Sequence, residues 1–190
     1  MISEERIEKH KQIFEEKNKE YNIFTKELSE FLGEDFFLAP ASPSLDMFGA
    51  YPGGLLDHLL RMCKYAININ NILPPSLQVD KKTIVRTAFL SEIGKTFLFK
   101  LNEDEYTRKK GKMYAYRDDE LVIMNVGERS IYYATKYGVQ LSEEEYQAIL
   151  NFDKEPNERF VKSGSKTLFR IMKMGYELAL MEEKNGKTGH

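Results

Sequence analysis

Apolar side chains recur along residues 3 to 32 at Ile7, Phe14, Tyr21, Phe24, Leu28, Phe31 and Leu32, a stripe near the 3.6-residue helical period on an otherwise charged rod. Ser3 followed by Glu4 and Glu5 reads as an N-cap with acidic residues in the first turn, and Gly33 as the stop. The pattern predicts one helix of about 45 Å, longer than a compact domain needs and hence a candidate for oligomerisation or partner docking. Residues 34–52, with Pro40, Pro43, Gly49 and Pro52, read as a long loop. From Gly53 the run Leu55, Leu56, Leu59, Leu60, Met62, Cys63, Ala66 and Ile67 covers more than one face, which predicts a mostly buried helix ending before Pro74. Asp80 caps the next helix, through Ile84, Val85, Ala88, Phe89 and Leu90.

Further on the pattern changes. Residues 113–116 and 121–124 are apolar runs around Arg117-Asp118-Asp119-Glu120, which predicts a small hairpin near 112–124 or an extended loop. Helices are expected over about 127–138, stopped by Gly138, and over about 142–151, opened by a Ser142/Glu145 capping box. A last helix runs from about Ser163 to Lys184, with a frayed tail at 185–190. The expected organisation is an N-terminal helix (1–33), one helical domain (34–184) and the tail.

Composition narrows the class without naming a chemistry. With 190 residues, 42% hydrophobic and 31% charged, the chain suits one well-packed domain. A single cysteine, Cys63, excludes a disulfide framework, and its place on a buried helix makes it a structural thiol. The start is charged and no run approaches 18 apolar residues, so no signal peptide or membrane span is expected, and the expected location is cytoplasmic. Basic and acidic residues number 28 and 30, so the global balance does not point to a polyanion binder. One local cluster, Arg108-Lys109-Lys110-Gly111-Lys112 among Tyr106, Tyr114 and Tyr116, has the ingredients of a nucleic-acid contact. Acidic residues on both sides (103–105 and 118–120) favour a solvated loop instead. Of three histidines, His10 and His190 are expected to be solvated. Only His58, on the buried helix, is a ligand candidate.

Four segments carry a family resemblance. Tyr51-Pro52-Gly53-Gly54-Leu55-Leu56-Asp57-His58 resembles the opening of an HD-domain metal-dependent phosphohydrolase, where the first metal-binding histidine follows a Pro-Gly-Gly-Leu segment. Ala88-Phe89-Leu90-Ser91-Glu92-Ile93-Gly94-Lys95 is similar to the signature segment, with Ser91-Glu92 where the family carries His-Asp. Gly127-Glu128-Arg129-Ser130 and the segment from Leu141 to Leu150 resemble the next two, and the final helix stands where the family places its last aspartate. The resemblance spans about residues 50–182 and implies an all-α, HD-domain-like helical bundle.

The same resemblance implies that the metal centre has been dismantled. Val126 and Phe152 stand where histidines are expected, and the terminal aspartate near Gly175 is missing unless Glu177 replaces it. His58 alone matches unchanged, with Glu92 as a related replacement, and a water-activating ion needs about three protein ligands. The expectation is a catalytically inactive domain with no metal or other cofactor, His58 and Glu92 being weak metal candidates. It would act by binding a partner protein, a second copy through the N-terminal helix, or a nucleotide or other phosphorylated ligand held by His58, Arg61, Glu92, Lys95 and Arg129. For Lys95 the plainer reading is a solvated lysine at a helix end. Two alternatives stay open: a divergent phosphohydrolase using a divalent metal with His58, Glu92, Glu128 and Asp153, and a nucleic-acid-binding protein.

Overall fold

The structure, a computed structural model, describes residues 4–117, 124–154 and 167–187, with the backbone alone for 185–187. It is mostly helical with a small antiparallel sheet: α1 (Glu4–Tyr21), α2 (Lys26–Leu38), α3 (Gly54–Ile72), α4 (Lys81–Leu90), β1 (Phe99–Leu101), α5 (Glu105–Lys109), β2 (Tyr114–Tyr116), α6 (Val126–Lys136), α7 (Glu143–Asn151) and α8 (Thr167–Lys187). Short 3-10 turns lie at Pro75–Leu77 and Ile93–Lys95. Among the described residues no helix is long and apolar enough to cross a membrane.

The expected single N-terminal rod is two helices. Asn22 takes a left-handed φ of 52°, a conformation asparagine tolerates better than most residues, and ends α1. The Asn18 side chain accepts from the Phe24 amide at 2.7 Å, and Thr25 accepts from the Leu28 amide to cap α2. Gly33, expected as the stop, is instead a kink with φ of 50° inside α2, which continues to Leu38. Ser3 lies outside the described residues.

Both N-terminal helices are built into the core. The Phe14 ring of α1 lies 4.9–5.8 Å from those of Phe24, Phe36, Phe37 and Phe89, joining α1, α2 and α4 in one aromatic cluster. Tyr21, Leu28 and Leu32 are buried in the same core. The exposed face of α1 is charged and contributes no large exposed apolar side chain.

The central element is α3, packed most extensively on α8 and then on α4. Its start explains the Pro-Gly-Gly run. Gly53 sits at φ of 78°, and a Cβ on Gly54 would stand 2.1 Å from the carbonyl oxygen of Gly49. The caps at Asp80, Asn125/Glu128 and Ser142/Glu145 start α4, α6 and α7. Arg86 of α4 ties these parts together: its Nε meets Glu145 at 3.0 Å, and it donates to the carbonyls of Asn22 and Gln140.

The small sheet differs from the expected hairpin in its pairing. Phe99, Lys100 and Leu101 stand opposite Tyr116, Ala115 and Tyr114, so the strand at 114–116 pairs with the segment before it, with α5 in the connection. The expected second strand falls partly on residues 118–123, outside those described. The helix expected from Ser163 is described from Thr167 and extends to Lys187, past the expected end.

Candidate functional site

The α3 helix brings Asp57 and His58 inward, and the turn after α4 brings Glu92 and Lys95 to meet them. That turn is held tightly against α6. The Gly94 amide donates to Ser130 Oγ at 2.9 Å, and a Cβ on Gly94 would lie 2.7 Å from the Val126 carbonyl oxygen and 2.9 Å from Arg129 Cβ. From the opposite side α8 supplies Glu182 and Glu183.

His58 is fully buried between two carboxylates. Its Nδ1 is 3.0 Å from Glu183 Oε1, and its Nε2 is 3.5 Å from Glu92 Oε2. The other oxygen of Glu92 accepts from the Lys95 ammonium at 2.5 Å, and that ammonium lies 4.8 Å from the centre of the Phe48 ring. Lys95 is 7% exposed and Glu92 3%, so the reading of Lys95 as solvated is overturned: its charge is spent inside, on a buried carboxylate.

A second hub adjoins the first. Asp57, buried on α3, accepts from Tyr51 at 2.7 Å, from Arg6 of α1 at 3.1 Å and from Arg61 at 3.2 Å. Burial opposes its charge, but the Tyr51 hydrogen bond and the two guanidinium groups outweigh it and hold the carboxyl below its ordinary range. Arg61 also meets Glu182 at 3.1 Å and approaches Glu183 at 3.9 Å. His10 Nε2 stands 3.7 Å from Asp57, so His10 is not a solvated side chain. Burial, the largest effect, lowers its pKa despite the attraction of Asp57.

Aromatic rings close the centre. Phe48 and Tyr176 lie 4.5 and 5.4 Å from the His58 ring, and Phe152 packs edge-on to Tyr176 at 5.1 Å. Burial and then the negative charge of Glu92 push the Tyr176 phenol well up, so it stands there as a neutral hydroxyl.

Of the residues singled out from sequence, His58, Arg61, Glu92 and Lys95 converge here. Arg129 is buried beside Gly94. Glu128 is exposed, and its carboxylate closes the capping box of α6 by accepting from the Asn125 amide. Asp153 is exposed. Glu177 is exposed and faces Lys173 at 3.9 Å, so it does not replace the missing aspartate; its neighbour Tyr176 faces His58. His190 lies outside the described residues. Val126 is half-buried at the start of α6, and Phe152 is buried. Cys63 is buried, its thiol pushed up to about 11 by that burial.

The donor set does not fit the divalent ion that the resemblance implies. His58 Nε2, Glu92 Oε2 and Glu183 Oε2 are buried and lack hydrogen-bond partners, as atoms facing an ion would. Yet Lys95 and Arg61 already bring positive charge to these carboxylates, and among the described residues no group of three or more His, Cys, Asp or Glu is placed to hold a metal. No family model, curated protein or solved structure matches the chain.

Sequence reasoning missed Glu183, and a signal for it existed. Leu168, Met172, Gly175 and Ala179 mark the buried face of α8, and Glu183 continues that spacing. A carboxylate on an apolar stripe needs a partner. Arg6 and Tyr51 carried no comparable signal, because their roles depend on how α1 and the 39–53 loop pack.

Proposed function

We propose that this chain is a non-catalytic helical domain of the HD type that acts by binding through its surface. One observation carries the reading: the Lys95 ammonium sits on Glu92 beside His58, putting a fixed cation where a metal-dependent enzyme needs a replaceable one. A hydrolytic centre requires an ion with an open coordination position and a water. Here the Glu92 and Glu183 carboxylates already face Lys95, His58 and Arg61, under Phe48 and Tyr176.

The arrangement favours a partner on the surface over a phosphorylated ligand in the cleft. Asp57, Glu92, Glu182 and Glu183 engage the cations that a phosphate would need, and they repel it. The divergent-hydrolase reading gains nothing from the positions of Glu128 and Asp153.

The test is dialysis against Mn²⁺ and Zn²⁺, metal analysis of the washed protein, and an assay with bis(p-nitrophenyl) phosphate. The expected result is metal far below one ion per chain and no turnover. A tightly held stoichiometric ion with turnover abolished by His58→Ala refutes the proposal.

A further inference from the structure

The small sheet and its connection, residues 99–117, carry six of the chain's 28 basic residues and three of its 30 acidic ones. This segment is therefore net +3, and the remainder of the chain net −5. Sequence alone weighed the flanking acidic residues against a role for it. The fold changes that weight, because two of the three acidic residues within it have local work. The Asp104 carboxylate caps α5, accepting from the amides of Tyr106 and Thr107, and Glu105 pairs with Lys109 at 2.8 Å. Lys100, Lys110 and Lys112 are exposed. The acidic residues 118–120 lie outside those described.

Aromatic surface accompanies the charge. The register places Phe99, Leu101, Tyr114 and Tyr116 on one face of the two strands, because cross-strand partners and alternate residues share a face. On that face Tyr116 is 53% and Leu101 55% exposed. In the connection Tyr106 is 66% exposed, with the Lys110 ammonium 4.2 Å from its ring centre. The unit is anchored to the 39–53 loop, since the Tyr114 amide donates to the Pro43 carbonyl at 2.9 Å and the Leu45 amide to that of Gly111 at 2.8 Å. It presents rings that cost little further entropy to order on binding.

We propose that residues 99–117 form a docking surface for single-stranded nucleic acid. Bases stack on Tyr106 and Tyr116 while Lys100, Lys110 and Lys112 meet the phosphates. Every base has a π face and every nucleotide a negative charge, so the recognition is of single strands in general. Charge complementarity favours this partner: the segment is a net-positive surface on a net-negative chain. The surface is separate from the His58 centre, and the inference holds whatever that centre does.

The test is fluorescence anisotropy of the full chain with a labelled oligo(dT) of about 15 nucleotides. Three or four neutralised phosphates predict that affinity falls about 20- to 50-fold between 50 and 200 mM salt. The variant carrying Tyr106→Ala and Tyr116→Ala should bind roughly tenfold or more weakly with the salt slope unchanged. The variant carrying Lys110→Ala and Lys112→Ala should flatten the slope by about 1.4. All four side chains project from the small sheet and its connection, so thermal unfolding of both variants should match the parent. Absence of saturable binding at 50 mM salt overturns the proposal. So does equal affinity for a duplex of the same length, or parental affinity in the double-tyrosine variant.

Discussion

Lys95→Met leaves the shape of the buried centre nearly intact while removing the cation that neutralises Glu92. Glu92 is 3% exposed, one oxygen holds Lys95 at 2.5 Å, and the other has no hydrogen-bond partner, standing 3.5 Å from His58 Nε2. Removing one partner of a buried pair costs about 3–5 kcal/mol, since the carboxylate left behind stays desolvated. Loss of the ammonium over Phe48 adds about 0.5–2 kcal/mol, partly returned by the thioether packing on the same ring. The expected loss is therefore about 3–5 kcal/mol, read as a lower urea midpoint with unchanged slope in circular dichroism. Combining Lys95→Met with Glu92→Gln removes both charges, so the double variant should lose less than the sum of the two single losses, by a coupling of about 2–3 kcal/mol in the double-mutant cycle. A Lys95→Met protein within about 0.5 kcal/mol of the parent, or additive effects of the two substitutions, would refute the picture of Lys95 as the internal counter-cation.

Two further outcomes follow from the packing and from Asp57. Deleting residues 1–38 removes Phe14, Tyr21, Ile23, Phe24, Leu28, Leu32 and Phe36 from the core. At about 1.5–3 kcal/mol each this amounts to about 10–20 kcal/mol, as large as the whole stability of a typical domain (about 5–15 kcal/mol), so the remainder should lack a cooperative thermal transition; a sharp one would show that α1 and α2 are dispensable. Acid should weaken the fold in two stages, because Asp57 and His10 both have folded pKa values below their unfolded ones and so bind protons more readily when unfolded. The His10 contribution is complete above about pH 6.5 and is lost as pH falls towards its lowered folded value; the Asp57 contribution is complete above about pH 4 and is lost below it. Urea midpoints measured against pH should lose the first stage in His10→Ala and the second in Asp57→Asn, and an unchanged profile in both would contradict the assignment.

The helical architecture was legible because caps and periodicity agree: Asp80, Ser142/Glu145 and the buried stripe from Leu55 to Ala66 all stand in the structure as read. The N-terminal break was concealed by that same periodicity. Tyr21, Phe24 and Leu28 keep helical spacing across Asn22, because all three reach one core, from α1, the turn between the helices and α2 respectively. The break is written in polar residues instead, Asn22 in the left-handed region and Thr25 as a cap, and such signals are weaker than an apolar stripe. The strand at 114–116 was visible as a strand, but its partner was not. Register there follows from the 39–53 loop bonding to Gly111 and Tyr114, a non-local constraint. At the centre, single positions such as His58 and Glu92 could be read one at a time; Lys95 pairs locally with Glu92, three residues before it, whereas the use of Glu183 as a partner of His58 depends on the α3–α8 packing.

The ionic centre is a poor device for stability alone. Replacing a buried ion pair by apolar groups of similar volume is often neutral or favourable, and each buried polar atom left without a partner costs about 1–3 kcal/mol. Here His58 Nε2, Glu92 Oε2, Arg61 Nε and Glu183 Oε2 are all in that condition. What the network does supply is register. Asp57 alone connects α1 through Arg6, the 39–53 loop through Tyr51 and its own helix through Arg61, while Arg61 and His58 lock α3 to α8. Apolar contacts between the same helices would tolerate sliding by part of a turn; these geometries do not. The residues at the heart of this fold thus fix one arrangement of α1, α3, α8 and the 39–53 loop.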